Sequence, residues 1–211
     1  MNRGVGLYGR VESGTYRPST EYLHALAKVL GMSQEEYRQV HLLILGSEPL
    51  RALDPDAGLV IPEGWPETVE GQADMACLID RRFTIAATNA GFRLLFNGGA
   101  TPANLIEWIL FNRDAREHTL KDWAHSWVPD ATARLRAARA AHPGDAETRE
   151  LLARADRDPE VRKATEVGGV PRNSRRRIHH PGMGPGWVTL IESEPVEAPG
   201  ARHITLLFAR S

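Results

Sequence analysis

The segment SRRRIHHPGMGPGWVTLIES, residues 174–193, decides which fold this sequence can adopt. Residues 174–180 and 187–193 follow a period of two, which is typical of β-strands. Residues 181–186 between them contain two prolines and three glycines, and this composition predicts a turn. A third strand is predicted at residues 203–209, so we expect three antiparallel strands in the C-terminal part of the chain.

Two more strands are predicted near the middle of the chain. Residues 75–79 form a short apolar run, and apolar and other side chains alternate at residues 83–87, so the two strands are expected to meet around residues 80–81. Helical patterns fill the region between these strands and the C-terminal ones. Strands, then helices, then strands do not give the βαβ alternation of a parallel sheet. The predicted fold class is α+β, with a five-stranded antiparallel sheet and helices packed to one side of it.

The helices between the strands are predicted from their start and stop signals. Asn89 opens a helix that ends at residues 97–99, and Asp145 and Asp158 precede two further short helices. The longest helical pattern is an apolar stripe from position 120 to 138. Pro129 lies inside it and cannot donate to the i−4 carbonyl, so we expect a kinked helix there.

The first 46 residues are predicted to be helical. Ser19 is the expected N-cap of one helix, and Ser33 with Glu36 forms a capping-box pattern at the start of the next. Gly31 and Gly46 are the expected helix ends. Prolines and glycines then interrupt the pattern. The expected organisation is a helical segment at residues 1–46, a linker at 47–69 and an α+β domain at 70–211.

Composition narrows the function classes. The 26 basic and 27 acidic residues give a formal net charge of −1, which excludes a broadly basic nucleic-acid coat. The single cysteine, Cys77, excludes an internal disulfide framework and a cysteine-cluster zinc site. No leader pattern and no apolar stretch long enough to span a membrane is evident. We therefore expect a cytoplasmic protein without a membrane partner.

The stretch GRVESG at residues 9–14, followed by YRPS at 16–19, resembles the second half of a lambda-repressor-like (XRE-type) helix-turn-helix domain. The resemblance implies that Glu12 and Gly14 close the recognition helix and that residues 18–19 begin the fourth helix of five. The helix-turn-helix is therefore expected to be truncated and to lack its first two helices. Apolar surface left open in this way is expected to be covered by a partner chain, by the second domain or by upstream residues.

Candidate DNA contacts follow from this resemblance. Arg3, Tyr8, Arg10 and Arg17 would lie on the recognition helix and its following turn, where arginines contact phosphates or a guanine edge. However, residues 1–60 hold six basic and seven acidic side chains, so a solvated face remains an alternative. DNA is thus an expected partner of a complete motif. The alternative is a sensor or protein-interaction module without DNA-binding activity.

The region from about residue 70 to 210 resembles the ligand-binding domain of MmyB-like transcription regulators, whose sensor domain is PAS-like. The resemblance is carried by IAATN at 85–89, Asn104 with Leu110-Phe111 and Asp114, Asp122-Trp123, Leu135-Arg136, HPGD at 142–145, and His180-Pro181 ahead of Gly184. It implies a transcription regulator whose sensor pocket takes a small apolar ligand, with a fatty acid as the expected ligand. We also expect a homodimer.

Nine residues are candidates for the ligand pocket. They are seven rings and two polar side chains on a predicted strand: Phe92, Phe96, Trp108, Phe111, Trp123, Trp127, Trp187, Arg176 and His180. Rings offer rigid apolar walls, although for any single ring ordinary core packing remains open. Alternation places Arg176 on the inner face of the strand, where its guanidinium would suit a ligand carboxylate. His180 before Pro181 has a structural alternative, since it would end the strand.

Catalysis and metal binding find little support in the sequence. Phosphate-binding glycine loops and a Gly-x-Ser-x-Gly nucleophile motif are missing, and Cys77 lies in an apolar run. The eight histidines form no ligand cluster, although a single axial histidine for haem remains an alternative. We therefore expect no metal site, no enzyme activity, and no cofactor other than a bound fatty acid or another apolar small molecule.

Overall fold

The computed structural model describes residues 6–49, 52–54, 56–98, 100–167 and 175–211. The chain divides into two compact units, residues 1–57 and 58–211.

The described part of the first unit is helical. Its helices are α1 (Leu7–Glu12), α2 (Thr20–Val29) and α3 (Gln34–Leu45). The Ser19 hydroxyl accepts from the backbone N–H of Tyr22 at 3.3 Å, and Ser33 and Glu36 form the reciprocal capping box. These predicted helix starts are confirmed. A small core of Leu23, Ala27 and Tyr37 lies between α2 and α3.

The second unit is built on one antiparallel sheet. Its strands are β1 (Met75–Ile79), β2 (Ile85–Thr88), β3 (Arg175–His180), β4 (Gly184–Ser193) and β5 (Arg202–Arg210), in the order β2-β1-β5-β4-β3. Every neighbouring pair is antiparallel. The predicted α+β class with a five-stranded antiparallel sheet and covering helices is confirmed.

The helices of the second unit lie mostly between β2 and β3 in the chain. They are α4 (Trp65–Glu70), α5 (Ala90–Arg93), α6 (Leu105–Phe111), α7 (Trp123–Ser126), α8 (Val128–Ala141), α9 (Ala146–Arg157) and α10 (Pro159–Val167), with a 3₁₀ turn at Leu94–Phe96 and a π-helical turn at Ala115–Thr119. The side chains of Asn89, Asn104 and Asp145 cap α5, α6 and α9 by accepting backbone N–H groups. None of the described helices has the length and apolar character needed to cross a bilayer.

Two features of the helices differ from the sequence prediction. The long apolar stripe is not one kinked helix, because α7 and α8 are separate and Pro129 lies in the first turn of α8. The first turn suits proline, since its N–H groups have no partner inside the helix. The helices also do not all lie on one side of the sheet. Helix α4 packs Val69 against Ala76 and Leu78 of β1, so that β1 is buried on both faces.

Strand β4 begins three residues before the predicted start at Trp187. Gly186 pairs with Ile178 of β3 and with Arg210 of β5. A Cβ atom at Gly186 would lie 2.5 Å from Cζ of Phe208 and 2.6 Å from the backbone oxygen of Ala209. Residues 184–186, which the composition assigns to the turn, therefore form the start of β4. At position 186 only glycine fits.

Candidate functional site

A cavity of about 60 Å³ lies between the inner face of the sheet and the helices. Fifteen of its nineteen lining residues are apolar: Ile79, Phe83, Phe92, Leu95, Leu105, Ile106, Trp108, Ile109, Leu120, Trp127, Ala131, Ile178, Leu190, Ile204 and Leu206. The other four are Asp130, Arg134, Arg176 and Glu192. The cavity is thus apolar with one charged end.

The cavity is small for a receptor pocket. Pockets that hold drug-sized ligands enclose roughly 300–1,000 Å³, whereas this one encloses about 60 Å³. Side chains from both layers fill the remaining space, and the largest of them are Trp108 and Trp127, which are 8% and 5% exposed. A molecule with more than a few heavy atoms does not fit in the space that these side chains leave.

Two asparagines fix the helices that form the apolar wall. The side-chain oxygen of Asn89 accepts from the backbone N–H groups of Phe92 and Ala76, at 2.9 and 3.0 Å. This joins the start of α5 to β1 and holds Phe92 at the cavity. Asn104 caps α6 and donates to the backbone oxygen of Arg82 at 2.7 Å, which anchors the helix that carries Trp108.

The charged end of the cavity is a network of four side chains. Arg134 donates to both carboxylate oxygens of Glu192 at 2.7 Å and to Asp130 at 2.7 Å. Arg176 approaches the same oxygen of Asp130 at 3.1 Å. Burial alone would lower the pKa of Arg134, but the hydrogen bonds and charges of Glu192 and Asp130 raise it above its usual value. The guanidinium therefore stays charged beside the cavity.

Arg176 is the most buried member of this network. The residue is 6% exposed, and its guanidinium carbon lies 5.0 Å from the centre of the Trp127 ring. Its Nε atom is buried and has no hydrogen-bond partner among the described residues. Strand β3 alternates buried and exposed side chains, with Arg176, Ile178 and His180 inside. The predicted inner face of this strand is confirmed.

Four of the nine predicted pocket residues line the cavity, and one packs behind it. Phe92, Trp108, Trp127 and Arg176 form part of its wall. The Phe96 ring lies edge-on to the Trp108 ring, with 5.1 Å between the ring centres, and does not line the cavity.

Two predicted aromatic residues lie at a different place. Phe111 and Trp123 line an open groove of about 650 Å³ at the surface of the helical layer. The guanidinium of Arg116 lies 4.6 Å from the Trp123 ring centre and also binds Asp158 at 2.7 Å. The stacked cation and its ion pair fix the groove wall.

Trp187 lies on the opposite face of the sheet from Arg176. The guanidinium carbons of Arg175 and Arg177 lie 4.9 and 5.9 Å from its ring centre. Trp187 is therefore outside the cavity, because the inner face of β4 carries the residues at even positions, including Val188 and Leu190.

His180 is buried at the end of β3. Its Nδ1 accepts from the backbone N–H groups of Gly182 and Met183, both at 3.1 Å, so its proton belongs on Nε2. Burial lowers the pKa of His180 and keeps the ring neutral, although the backbone of Gly91 acts in the opposite direction. The side chain closes the turn between β3 and β4 and does not line the cavity.

Sequence reasoning did not single out three of the charged residues at the cavity. Asp130 and Arg134 stand four residues apart in a helical pattern, and Glu192 shares the inner face of β4 with Leu190. The i,i+4 spacing predicts that Asp130 and Arg134 meet. That Glu192 joins them depends on how α8 packs on β4, which no local pattern specifies.

The predicted DNA contacts lie in the first unit. Tyr8 and Arg10 are exposed, and the guanidinium of Arg10 lies 5.9 Å from the Tyr16 ring centre. Arg17 donates to the backbone oxygen of Leu45 at 3.0 Å, at the end of α3. Arg3 lies outside the described residues.

Metal ligation and cysteine chemistry have no visible site in the described ranges. No group of three or more His, Cys, Asp and Glu side chains in those ranges is arranged to hold an ion. Cys77 is fully buried in β1, and burial raises the pKa of its thiol far above the usual value.

Comparison with known proteins gives a match that covers most of the second unit. A family model described as the MmyB-like transcription regulator ligand binding domain matches residues 67–209, which is more than half of the chain. A comparison with curated proteins gave no significant match. The family match does not include residues 1–66, so the helix-turn-helix assignment of residues 1–46 remains a prediction.

Proposed function

Since the chain belongs to the family of the MmyB-like transcription regulator ligand-binding domain, we propose that its cavity binds a small apolar, fatty-acid-like molecule and that binding controls transcription. The observation that supports this proposal is the apolar cavity between sheet and helices, which has a single charged end. Ligand pockets have this composition, with apolar walls and a few placed polar groups.

Binding requires the cavity to expand, and this gives the ligand a way to act. The wall contributed by α5, α6 and α8 has to move relative to β4 and β5 before a chain of several carbons fits. A ligand stabilises the expanded arrangement only by binding it more tightly than the closed one. In a homodimer, this shift would change the spacing of two DNA-reading segments.

The DNA-binding part of the proposal rests on the first unit. The exposed Tyr8 and Arg10 on α1, together with Arg17, are the proposed contacts. Phosphate contacts of this kind make binding depend strongly on salt.

We also propose that the chain acts by binding and not by catalysis. The carboxylates and guanidinium groups at the cavity are bonded to one another. Groups held in ion pairs are poorly suited to act as general acid or base, because their oxygen and nitrogen atoms are already engaged with a partner.

Native mass spectrometry of the full chain tests the proposal. We expect the freshly purified protein to carry an apolar adduct, or to acquire one after incubation with a mixture of fatty acids, alcohols and esters. A protein that stays free of adducts, with an unchanged unfolding temperature in the same mixture, would contradict the proposal.

A second candidate function is supported by the surface of the first unit. Val29 and Leu43 are 83% and 85% exposed on α2 and α3. Apolar side chains in such positions are also consistent with a module that docks another protein without binding DNA. Selection of bound sequences from random DNA with the full chain separates the candidates, since only the regulator is expected to enrich a sequence.

A further inference from the structure

We propose that the ligand of this cavity is uncharged: an apolar molecule carrying one hydrogen-bond-accepting oxygen, such as an alcohol, a ketone, an ester or a lactone, and not an anion. This inference rests on the proposed function: it keeps the apolar, fatty-acid-like chain of the ligand and replaces the carboxylate by an uncharged head group. Its basis is the charge balance and the hydrogen bonds of the four polar side chains at the cavity.

The charges at the cavity cancel within the wall itself. Asp130 and Glu192 carry two negative charges, and Arg134 and Arg176 carry two positive charges. The other fifteen lining residues are apolar. A carboxylate placed in this cavity would therefore add a negative charge for which the described wall holds no surplus cation.

Both carboxylates of the network are already engaged by the two guanidinium groups. Arg134 uses both terminal nitrogens on Glu192 and its Nε on Asp130. The remaining cation, Arg176, lies 3.1 Å from the carboxylate of Asp130. An anionic ligand would have to compete with Asp130 for Arg176, and Arg134 would then be the one cation shared by Asp130 and Glu192. Removing a partner from a buried pair is strongly unfavourable.

One donor at the cavity nevertheless has no acceptor in the part of the chain that the structure describes. The Nε–H group of Arg176 is buried and has no acceptor among the described residues. Arg176 lines the cavity, so the expansion that admits a ligand brings ligand atoms next to this side chain. A carbonyl, ether or hydroxyl oxygen satisfies this donor without changing the charge of the site, since an unsatisfied buried donor gains from any acceptor.

Fluorescence of the full chain provides the test, because Trp108 and Trp127 lie in the cavity wall. The probes are methyl decanoate, 1-decanol and decanoate, which are similar in chain length and differ in head group. They are titrated at pH 7.5 below the concentrations at which they aggregate. We expect the ester and the alcohol to bind with dissociation constants at least tenfold lower than that of decanoate.

Charge variants show whether the balance at the cavity causes this preference. Glu192→Gln removes one negative charge and leaves a net positive wall, so we expect decanoate to gain at least tenfold in affinity relative to the ester. Asp130→Asn is a second variant with the same expected direction, in case Glu192→Gln fails to fold. Glu197→Gln is the matched control, since Glu197 is exposed and does not line the cavity.

The outcomes separate this inference from the proposed function. Tighter binding of decanoate than of the ester and the alcohol by the unmodified chain would overturn the inference while leaving the proposed function intact. An unchanged preference in both charge variants would overturn the charge-balance argument. Absence of binding by all three probes would contradict the proposed function itself.

Discussion

Arg134 of α8 donates two hydrogen bonds of 2.7 Å to Glu192 of β4, although 58 residues separate them in the chain. This bidentate pair joins the helical layer to the sheet at the charged end of the cavity. Asp130, one turn earlier on α8, accepts from the same guanidinium. The network thus links the two layers that, under the proposed function, separate when a ligand enters.

Replacing Arg134 tests the strength of this link. We expect Arg134→Met to lower the free energy of unfolding by about 2 kcal/mol, because Glu192 loses its cation and Asp130 retains only Arg176. This value is below that for a fully buried pair, since the Arg134 side chain is 31% exposed and solvent screens part of the interaction. Urea unfolding at pH 7 measures the change.

The control for this variant lies two positions away on the same helix. Arg136 is exposed and its ion pair with Asp156 is long, at 3.7 Å, so Arg136→Met is expected to change stability by less than about 0.5 kcal/mol. Equal effects of the two substitutions would show that the Arg134–Glu192 pair does not hold the layers together.

Gly186 gives a prediction about the sheet. We expect Gly186→Ala to destabilise the fold by about 1–3 kcal/mol, because the added Cβ would meet the Phe208 ring at 2.5 Å and the Ala209 backbone oxygen at 2.6 Å. The ring has some freedom to rotate, but the oxygen belongs to the paired strand β5 and cannot withdraw without breaking the ladder. Thermal unfolding measures the loss.

Gly182→Ala, in the turn that precedes β4, is the matched control. The nearest atom to a Cβ at Gly182 is a ring carbon of His180 at 3.7 Å, which is ordinary contact. This substitution is expected to be nearly neutral. If it destabilised the chain as much as Gly186→Ala, close packing against Phe208 and Ala209 would not be the cause.

Features decided within a few residues were predictable from the sequence. The cap at Ser19, the capping box at Ser33 and the alternation that buries Arg176 in β3 each depend on neighbours along the chain. The kink predicted at Pro129 is wrong because the local signal of proline has two meanings. Proline disrupts the interior of a helix but is favourable in its first turn. Which of these applies depends on where α8 begins.

Features that depend on packing between distant segments were not predictable. The aromatic stripe did not reveal that Trp127 faces the cavity while Trp123 lines a surface groove, since both fit one helical period. Trp187, a predicted pocket residue, lies on the outer face of the sheet. The pairing of β4 with its neighbours fixes which of its side chains point inward. The meeting of Arg134 and Glu192 likewise results from tertiary contact.

His180 predicts a dependence of stability on pH. Burial lowers the pKa of His180 in the fold, so below its unfolded pKa of about 6.5 the unfolded chain takes up a proton that the folded ring does not. Stability is therefore expected to fall as the pH falls from 7 towards 5. His142 and His203 contribute in the same direction, since burial also lowers their pKa values.

A substitution separates the share of His180 from that of the other two histidines. Glutamine offers an oxygen that can accept from the Gly182 and Met183 N–H groups in place of Nδ1. We expect His180→Gln to reduce the loss of stability between pH 7 and 5, as measured by urea midpoints. His179→Gln, at the exposed neighbouring position, should leave the slope unchanged. An unaltered slope in His180→Gln would show that this ring does not link protonation to unfolding.

Filling the cavity gives the most direct prediction about ligand binding. Ala131 is 2% exposed on α8 and lines the cavity. We expect Ala131→Val to weaken binding of an apolar probe by tenfold or more, because two added methyl groups occupy space in a cavity of about 60 Å³ that the ligand has to enlarge. The unfolding temperature is expected to stay the same or rise, since the methyl groups gain apolar burial at roughly 25 cal/mol per Å².

Ala137→Val on the exposed side of α8 is the control for the lower helix propensity of valine. Equal binding by the Ala131→Val and Ala137→Val variants would mean that the probe binds elsewhere, and the open groove at Phe111 and Trp123 would then be the place to examine.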